Sequence, residues 1–229
     1  MTTSTIGVLG GMGPAASVHF QQRLVQLTPA QRDADHPTTI SWSDPQIPDR
    51  VAALRGTGES PVPALRRGAE VLRGAGAAVI AVPCNTVHPF LPQVLGESGY
   101  VDMIDKAGRA VAARGITRAS VLATAATLEH GMYERALAAH GVEAAAPAEQ
   151  QAEVLEIIAA VKTGADRAPL RERLHAVIDD QLRGGCDGVL VACTELSVLI
   201  AESPRSMVVD ALDELARETL RRAGISPAR

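Results

Sequence analysis

Two cysteines, Cys84 and Cys193, end matching segments in the two halves of this 229-residue chain. Gly76-Ala-Ala-Val-Ile-Ala-Val-Pro-Cys84-Asn-Thr aligns without a gap on Gly185-Cys-Asp-Gly-Val-Leu-Val-Ala-Cys193-Thr-Glu, at an offset of 193 − 84 = 109 residues. Each copy is an apolar run of strand length, then a thiol, then small polar residues suited to the first turn of a helix. A thiol where a strand meets a helix feels the positive end of the helix dipole, which favours thiolate. A thiolate accepts a proton and a thiol gives one, so two such groups on opposite sides of one cleft suit proton exchange at a single carbon. Either cysteine alone is as readily a packing residue; repetition at the equivalent position favours chemistry. Cys186 precedes its strand, at the far end from that position, and reads as structural.

Other polar residues fall near the same strand ends. Asp44-Pro-Gln-Ile-Pro-Asp49-Arg50 is a polar loop stiffened by two prolines, from which Arg50 could grip a carboxylate bidentately; on spacing alone it is equally an ordinary surface arginine. Lys162 is one of two lysines, with Lys106, but a lysine at a helix end also suits the dipole. His88, one turn after Cys84, could tune the thiol, and capping or packing explains it as well. Asn85, Thr86, Thr124, Thr127 and Thr194 are candidate donors to a substrate, or helix caps. Gly10-Gly-Met-Gly13-Pro-Ala partly imitates a dinucleotide fingerprint. Pro14 replaces a needed amide, however, and no acidic residue ends the second strand at the expected distance. The amides of that turn could still hold a carboxylate.

Composition excludes several classes. Net charge is −4 with no basic stripe, and aromatics make up 2% of residues, so a nucleic-acid surface is not expected. No apolar stretch approaches ~18 residues, and Met-Thr-Thr-Ser-Thr leads straight into a strand, which predicts a soluble, cytoplasmic protein with no membrane partner. Three cysteines without a secretory signal imply reduced thiols, and neither a Cys-x-x-Cys pair nor zinc spacing is present, so no metal site is expected.

The elements that must position these residues alternate strand and helix. Strands are predicted at Ile6–Leu9, Thr38–Trp42, Ala78–Val82, Val101–Ile104, Ala119–Ala123, Gly188–Val191 and Met207–Val209. Helices are predicted at Pro14–Leu27, Pro61–Arg73, from about Asn85, at Lys106–Arg114, Leu128–Ala139, Ala148–Thr163, Leu170–Arg183, from Thr194, and finally to Arg222. This order predicts an α/β protein of two pseudo-symmetric, doubly wound parallel-sheet lobes with a site in the cleft between them, at the carboxyl ends of the strands. Residues 1–100 with 207–229 would form the lobe carrying Cys84, the last strand and helix returning to it. Residues 101–206 would form the lobe carrying Cys193.

Taken together, Ile6-Gly-Val-Leu-Gly-Gly-Met-Gly-Pro14, Pro45-Gln-Ile-Pro-Asp-Arg50, Pro83-Cys-Asn-Thr-Val-His88, Leu122-Ala-Thr124 and Cys193-Thr-Glu-Leu-Ser197 resemble the aspartate/glutamate racemase superfamily, most closely its aspartate racemase branch. The resemblance spans essentially the whole chain in motif order. It implies a cofactor-independent homodimer that racemises aspartate or a similar acidic amino acid, with Cys84 and Cys193 as the two acid/base thiols. By position it also implies that Arg50 and Lys162 bind the side-chain carboxylate. Asn85, Thr86 and Thr194 would contact the α-carboxylate and ammonium, with Met12 and Gln46 as further pocket residues; Thr124, Thr127 and Glu195 complete the substrate-binding candidates. Gly-Gly-Met-Gly and Cys-Thr-Glu stand where the glutamate branch has Asp-Ser-Gly and Cys-Thr-His. Two thiols set the chain apart from decarboxylating relatives, which carry only the second. Two alternatives stay open: a maleate cis–trans isomerase-like enzyme with one cysteine as nucleophile, and a non-catalytic ligand-binding relative.

Overall fold

The computed structural model describes residues 3–200 and 205–228. Its first strand, β1 (Ile6–Gly10), is buried along its whole length, and Pro14 opens the helix that follows, α1 (Pro14–Leu27). There proline's missing amide leaves no helical hydrogen bond unmade. Edge strand β2 (Thr39–Ser43) alternates exposed and half-buried residues and leads through the Pro-rich loop to a short helix, α2 (Arg50–Leu54). Amphipathic α3 (Val62–Gly74) then precedes β3 (Val79–Ala81). After Cys84 the chain forms a 3-10 turn over Asn85–Phe90 and then α4 (Leu91–Leu95). Pro89 and Pro92 lack the amides that a continuous α-helix from Asn85 would need.

The second half runs α5 (Met103–Ala113), β4 (Arg118–Leu122), α6 (Ala125–Glu129), α7 (Met132–Ala138), β5 (Glu143–Ala145), α8 (Gln151–Lys162), α9 (Arg167–Arg183), β6 (Gly188–Val191), α10 (Thr194–Ile200), β7 (Val208–Asp210) and α11 (Ala211–Arg222). Two parallel sheets result, ordered β2-β1-β3 and β5-β4-β6-β7. The pairing register carries the repeat. Ile6 pairs with Val79 as Ala119 pairs with Gly188, and each pairing brings a central strand beside the strand that leads to a cysteine.

The chain divides into two compact units, residues 1–102 with 213–229, and residues 103–212. The last strand departs from the sequence reading: β7 pairs with β6 in the second sheet rather than joining the first. Of the C-terminal pair only the helix groups with the first unit, where an Arg23–Asp213 ion pair (2.6 Å) ties it to α1 and Arg222 donates to the Tyr100 carbonyl (2.7 Å). No strand forms at Val101–Ile104. Met103, Ala107 and Val111 are buried at helical spacing, and α5 begins there instead. The helix predicted over Leu128–Ala139 breaks at Gly131, whose φ of 56° lies in the left-handed region. Strand β5 gave no sequence signal, since Glu-Ala-Ala has low strand propensity and pairs only at an edge. No described helix is long and apolar enough to cross a membrane.

Candidate functional site

In the first unit, Cys84 lies three residues beyond β3, and in the second Cys193 lies two beyond β6, at the carboxyl ends of those strands. Both are free thiols at 4% exposure, within the apolar core of their own unit. The repeat extends into the side chains around each thiol. Four residues on, His88 Nδ1 donates to the Cys84 carbonyl (2.8 Å), and the Ser197 hydroxyl oxygen lies 3.5 Å from the Cys193 carbonyl. A carbonyl only accepts, so Nδ1 of His88 carries its proton. Ser197 in turn donates to Asp210 on β7 (2.6 Å). A side chain one turn ahead thus bonds the cysteine carbonyl in the first copy and lies near it in the second.

Two residues on, the copies differ. The Cys84 sulfur lies 3.5 Å from the Thr86 hydroxyl, whereas the Cys193 sulfur donates to Glu195 Oε2 at 3.1 Å. Glu195 is buried, and its other oxygen lies 4.0 Å from Lys162 Nζ, on a side chain 55% exposed. Burial pushes the Cys193 thiol well up from its usual value, and the Glu195 charge and hydrogen bond add to that; Lys162 opposes it. This reverses the thiolate expected at Cys193 from its helix-end position, because desolvation and a neighbouring carboxylate both disfavour the anion. Burial likewise holds the His88 pKa below 6.5, against the opposing charge of Asp102.

The remaining sequence candidates divide between the units. Asn85 and Thr86 are buried directly after Cys84, and Met12 shares the Cys84 core cluster. Gln46 is exposed, its backbone amide donating to Asp44 Oδ1 (2.9 Å). Arg50 opens α2, and its Nη1 donates to the Ile47 and Pro48 carbonyls, 3.2 Å each, which braces its own loop. Among the described residues no carboxylate pairs with Arg50, and its Nε is buried without a partner. In the second unit Thr194 is buried, its hydroxyl 3.4 Å from Glu195 Oε2. Thr124 caps α6, bonding the Thr127 amide (3.3 Å) and hydroxyl (3.0 Å); Thr127 also borders a cavity of about 240 Å³.

The glycine turn after β1 is committed to packing. The Gly11 amide donates to Ser17 Oγ (2.9 Å), and a Cβ on Gly11 would fall 2.4 Å from the Asp44 backbone. The Gly11 amide expected to face a carboxylate is therefore already bonded within the turn. Sequence reasoning did not single out Ser17 or the Ser197–Asp210 pair. Ser197 could have been found by continuing the 109-residue alignment, since it falls opposite His88. Among the described residues no group of three or more His, Cys, Asp or Glu side chains could hold a metal ion.

The Asp/Glu/Hydantoin racemase family matches residues 9–219. An aspartate racemase from Picrophilus torridus has the same fold with a TM-score of 0.88 and 33% identity, over 98% of this chain and 96% of that one. The broad specificity amino-acid racemase RacX of Bacillus subtilis (strain 168) is 25% identical over 94% of this chain and 96% of its own. Glutamate racemase from Francisella tularensis shares the fold at a TM-score of 0.63 and 13% identity, over 96% of this chain and 81% of that one. The two parallel-sheet units, each leading a strand into a buried cysteine, are thus those of a member of the Asp/Glu/hydantoin racemase family, to which this chain belongs.

Proposed function

We propose that the protein is a cofactor-independent racemase of aspartate or a similar acidic amino acid, with Cys84 and Cys193 as its two acid/base groups. The observation that carries this reading is the repeated arrangement around the thiols. Each is buried at the carboxyl end of a strand, with a polar side chain four residues on beside its carbonyl and its sulfur bonded two residues on. Packing alone needs only the burial; engaging the sulfur in both copies suits groups that must meet a proton in a defined direction.

In this mechanism one sulfur, as thiolate, removes the α-hydrogen from one face of the carbon while the other, as thiol, delivers a proton to the opposite face. For the other enantiomer the roles reverse. A carbon acid is much weaker than a thiol, so the developing negative charge needs preorganised donors. Asn85, Thr86 and Thr194, directly after the cysteines, serve that purpose by binding the α-carboxylate. Arg50, braced by its loop and free of any carboxylate among the described residues, takes a carboxylate of the substrate. The aspartate racemase from Picrophilus torridus supports an acidic substrate, and the broad-specificity relative from Bacillus subtilis makes a substrate panel the right test.

Enantiopure amino acids, aspartate first, are incubated in deuterated water. The reading expects deuterium at the α-carbon of the newly formed enantiomer well before it enters the starting one, because each thiol exchanges its own proton with solvent. Cys84→Ser and Cys193→Ser should each abolish racemisation. If no acidic amino acid exchanges its α-hydrogen, the proposal fails.

A further inference from the structure

The two sulfurs sit at equivalent places in the repeat, but the side chain two residues on is a neutral hydroxyl at Thr86 and a carboxylate at Glu195. We propose that Glu195 is a positioning residue that keeps the proton on Cys193 in the resting enzyme, with Lys162 as its counter-ion, so that Cys84 is the thiol that supplies the base. The division into base and acid rests on the racemase reading above; the thiol–carboxylate–ammonium chain itself does not.

Three observations carry this. Glu195 is the one buried acidic side chain among the described residues, and it aims one oxygen at the Cys193 sulfur at 3.1 Å. Its other oxygen lies 4.0 Å from Lys162. At that distance the ammonium offsets part of the Glu195 charge, while the half-exposed lysine stays open to solvent. Finally, among the described residues, the charged side chains other than Lys162 that reach α10 or its neighbours from the packed elements have partners of their own. Arg171 on α9 donates to the Leu199 carbonyl (3.2 Å), and Asp210 on β7 accepts from Ser197; on α8, Glu153 and Glu156 pair with Arg173. Burial and the Glu195 charge both push Cys193 upward, in the sense the geometry requires.

The test is an ultraviolet thiolate titration of the full chain with Cys84→Ser and Cys186→Ser, which leaves Cys193 as the sole thiol; circular dichroism checks folding. Glu195→Gln keeps the shape and a hydrogen-bonding group but removes the charge. It should lower the titration midpoint by about one pH unit or more, roughly tenfold more thiolate at a fixed pH. Lys162→Met should move the midpoint up. Because Lys162 is largely exposed, that variant serves as the second arm should Glu195→Gln fail to fold. A midpoint that does not move in the stated direction, in any variant that folds, overturns the proposal. No substrate enters the titration, so a protein that titrates as stated yet turns over no acidic amino acid would refute the racemase reading and leave this pairing standing.

Discussion

Mild acid should loosen the unit that carries Cys84, through His88. That imidazole is buried, its Nδ1 proton given to the Cys84 carbonyl at 2.8 Å, with the Tyr100 ring edge-on at 6.0 Å. Burial holds its pKa below the ordinary 6.5, the Asp102 charge opposing without prevailing. In the unfolded chain the same ring takes up its proton near 6.5. Between the two values the unfolded state therefore binds more protons, and stability rises with pH. The contribution is fully present above 6.5 and is lost as pH falls from there towards the folded pKa. One proton corresponds to about 1.4 kcal/mol per pH unit at full slope, which sets the ceiling on what His88 contributes for each unit of acidification below 6.5.

Carboxylates held low, among them Asp105 and Glu153, change stability in the same sense, but only near and below their ordinary values of 3.8 and 4.5. His175, also pushed down by burial, belongs to the other unit. The single tryptophan, Trp42, lies on β2 of the first unit, so its fluorescence reports urea unfolding of the part that contains His88. Measured from about pH 5.5 to 8, the wild-type midpoint should fall on acidification, and His88→Gln should flatten that dependence, by at most one proton. Parallel curves for the two proteins would refute the reasoning.

Two further substitutions test how the site is framed. Gly11→Ala places a Cβ 2.4 Å from the Asp44 backbone at a φ of 96°, so it should destabilise the first unit by roughly 2–4 kcal/mol and depress turnover by displacing the Arg50 loop, whereas Gly56→Ala, with open space around it, should lose only about 1 kcal/mol; urea midpoints and racemisation rates decide both. Arg23→Ala removes a bidentate pair (2.6 and 2.7 Å) between α1 and α11 whose side chains are 15% and 23% exposed, and should lower stability by about 1–2 kcal/mol on the Trp42 signal, with little change if the pair is no more than a surface ornament.

What could be read from the sequence had a local or periodic origin. Strand–helix alternation announced parallel sheets, and the gapless alignment that led to Cys84 and Cys193 reappears as an identical strand register in each unit. Features set by partners far along the chain were hidden. The helical spacing of Met103, Ala107 and Val111 competes with the strand-like Val101–Ile104, and only packing chose the helix. Strand β7 is short enough that its sequence suits either sheet, and its pairing with β6 decided the matter. At the candidate site the sequence supplied Lys162 and Glu195 as separate pocket residues. Their approach needs α8 and α10 to pack side by side, which no spacing encodes.

The difference between Thr86 and Glu195 also bears on what a racemase can be asked to do. Two enantiomers in water have equal free energies, so whichever thiol holds the proton at rest, kcat/KM must be the same in both directions at every pH. An asymmetric pair of thiols cannot favour one product. It can only decide which enantiomer meets an enzyme already in the right protonation state, and so divide kcat and KM differently between the two directions. If Glu195 holds the proton on Cys193, the enantiomer whose α-hydrogen faces Cys84 finds that state ready, while its mirror image must wait for a proton to leave a thiol that burial and a neighbouring carboxylate both protect. Glu195→Gln should then draw the two KM values together while the ratio of the two kcat/KM values stays at one, a result that a merely structural Glu195 has no means to produce.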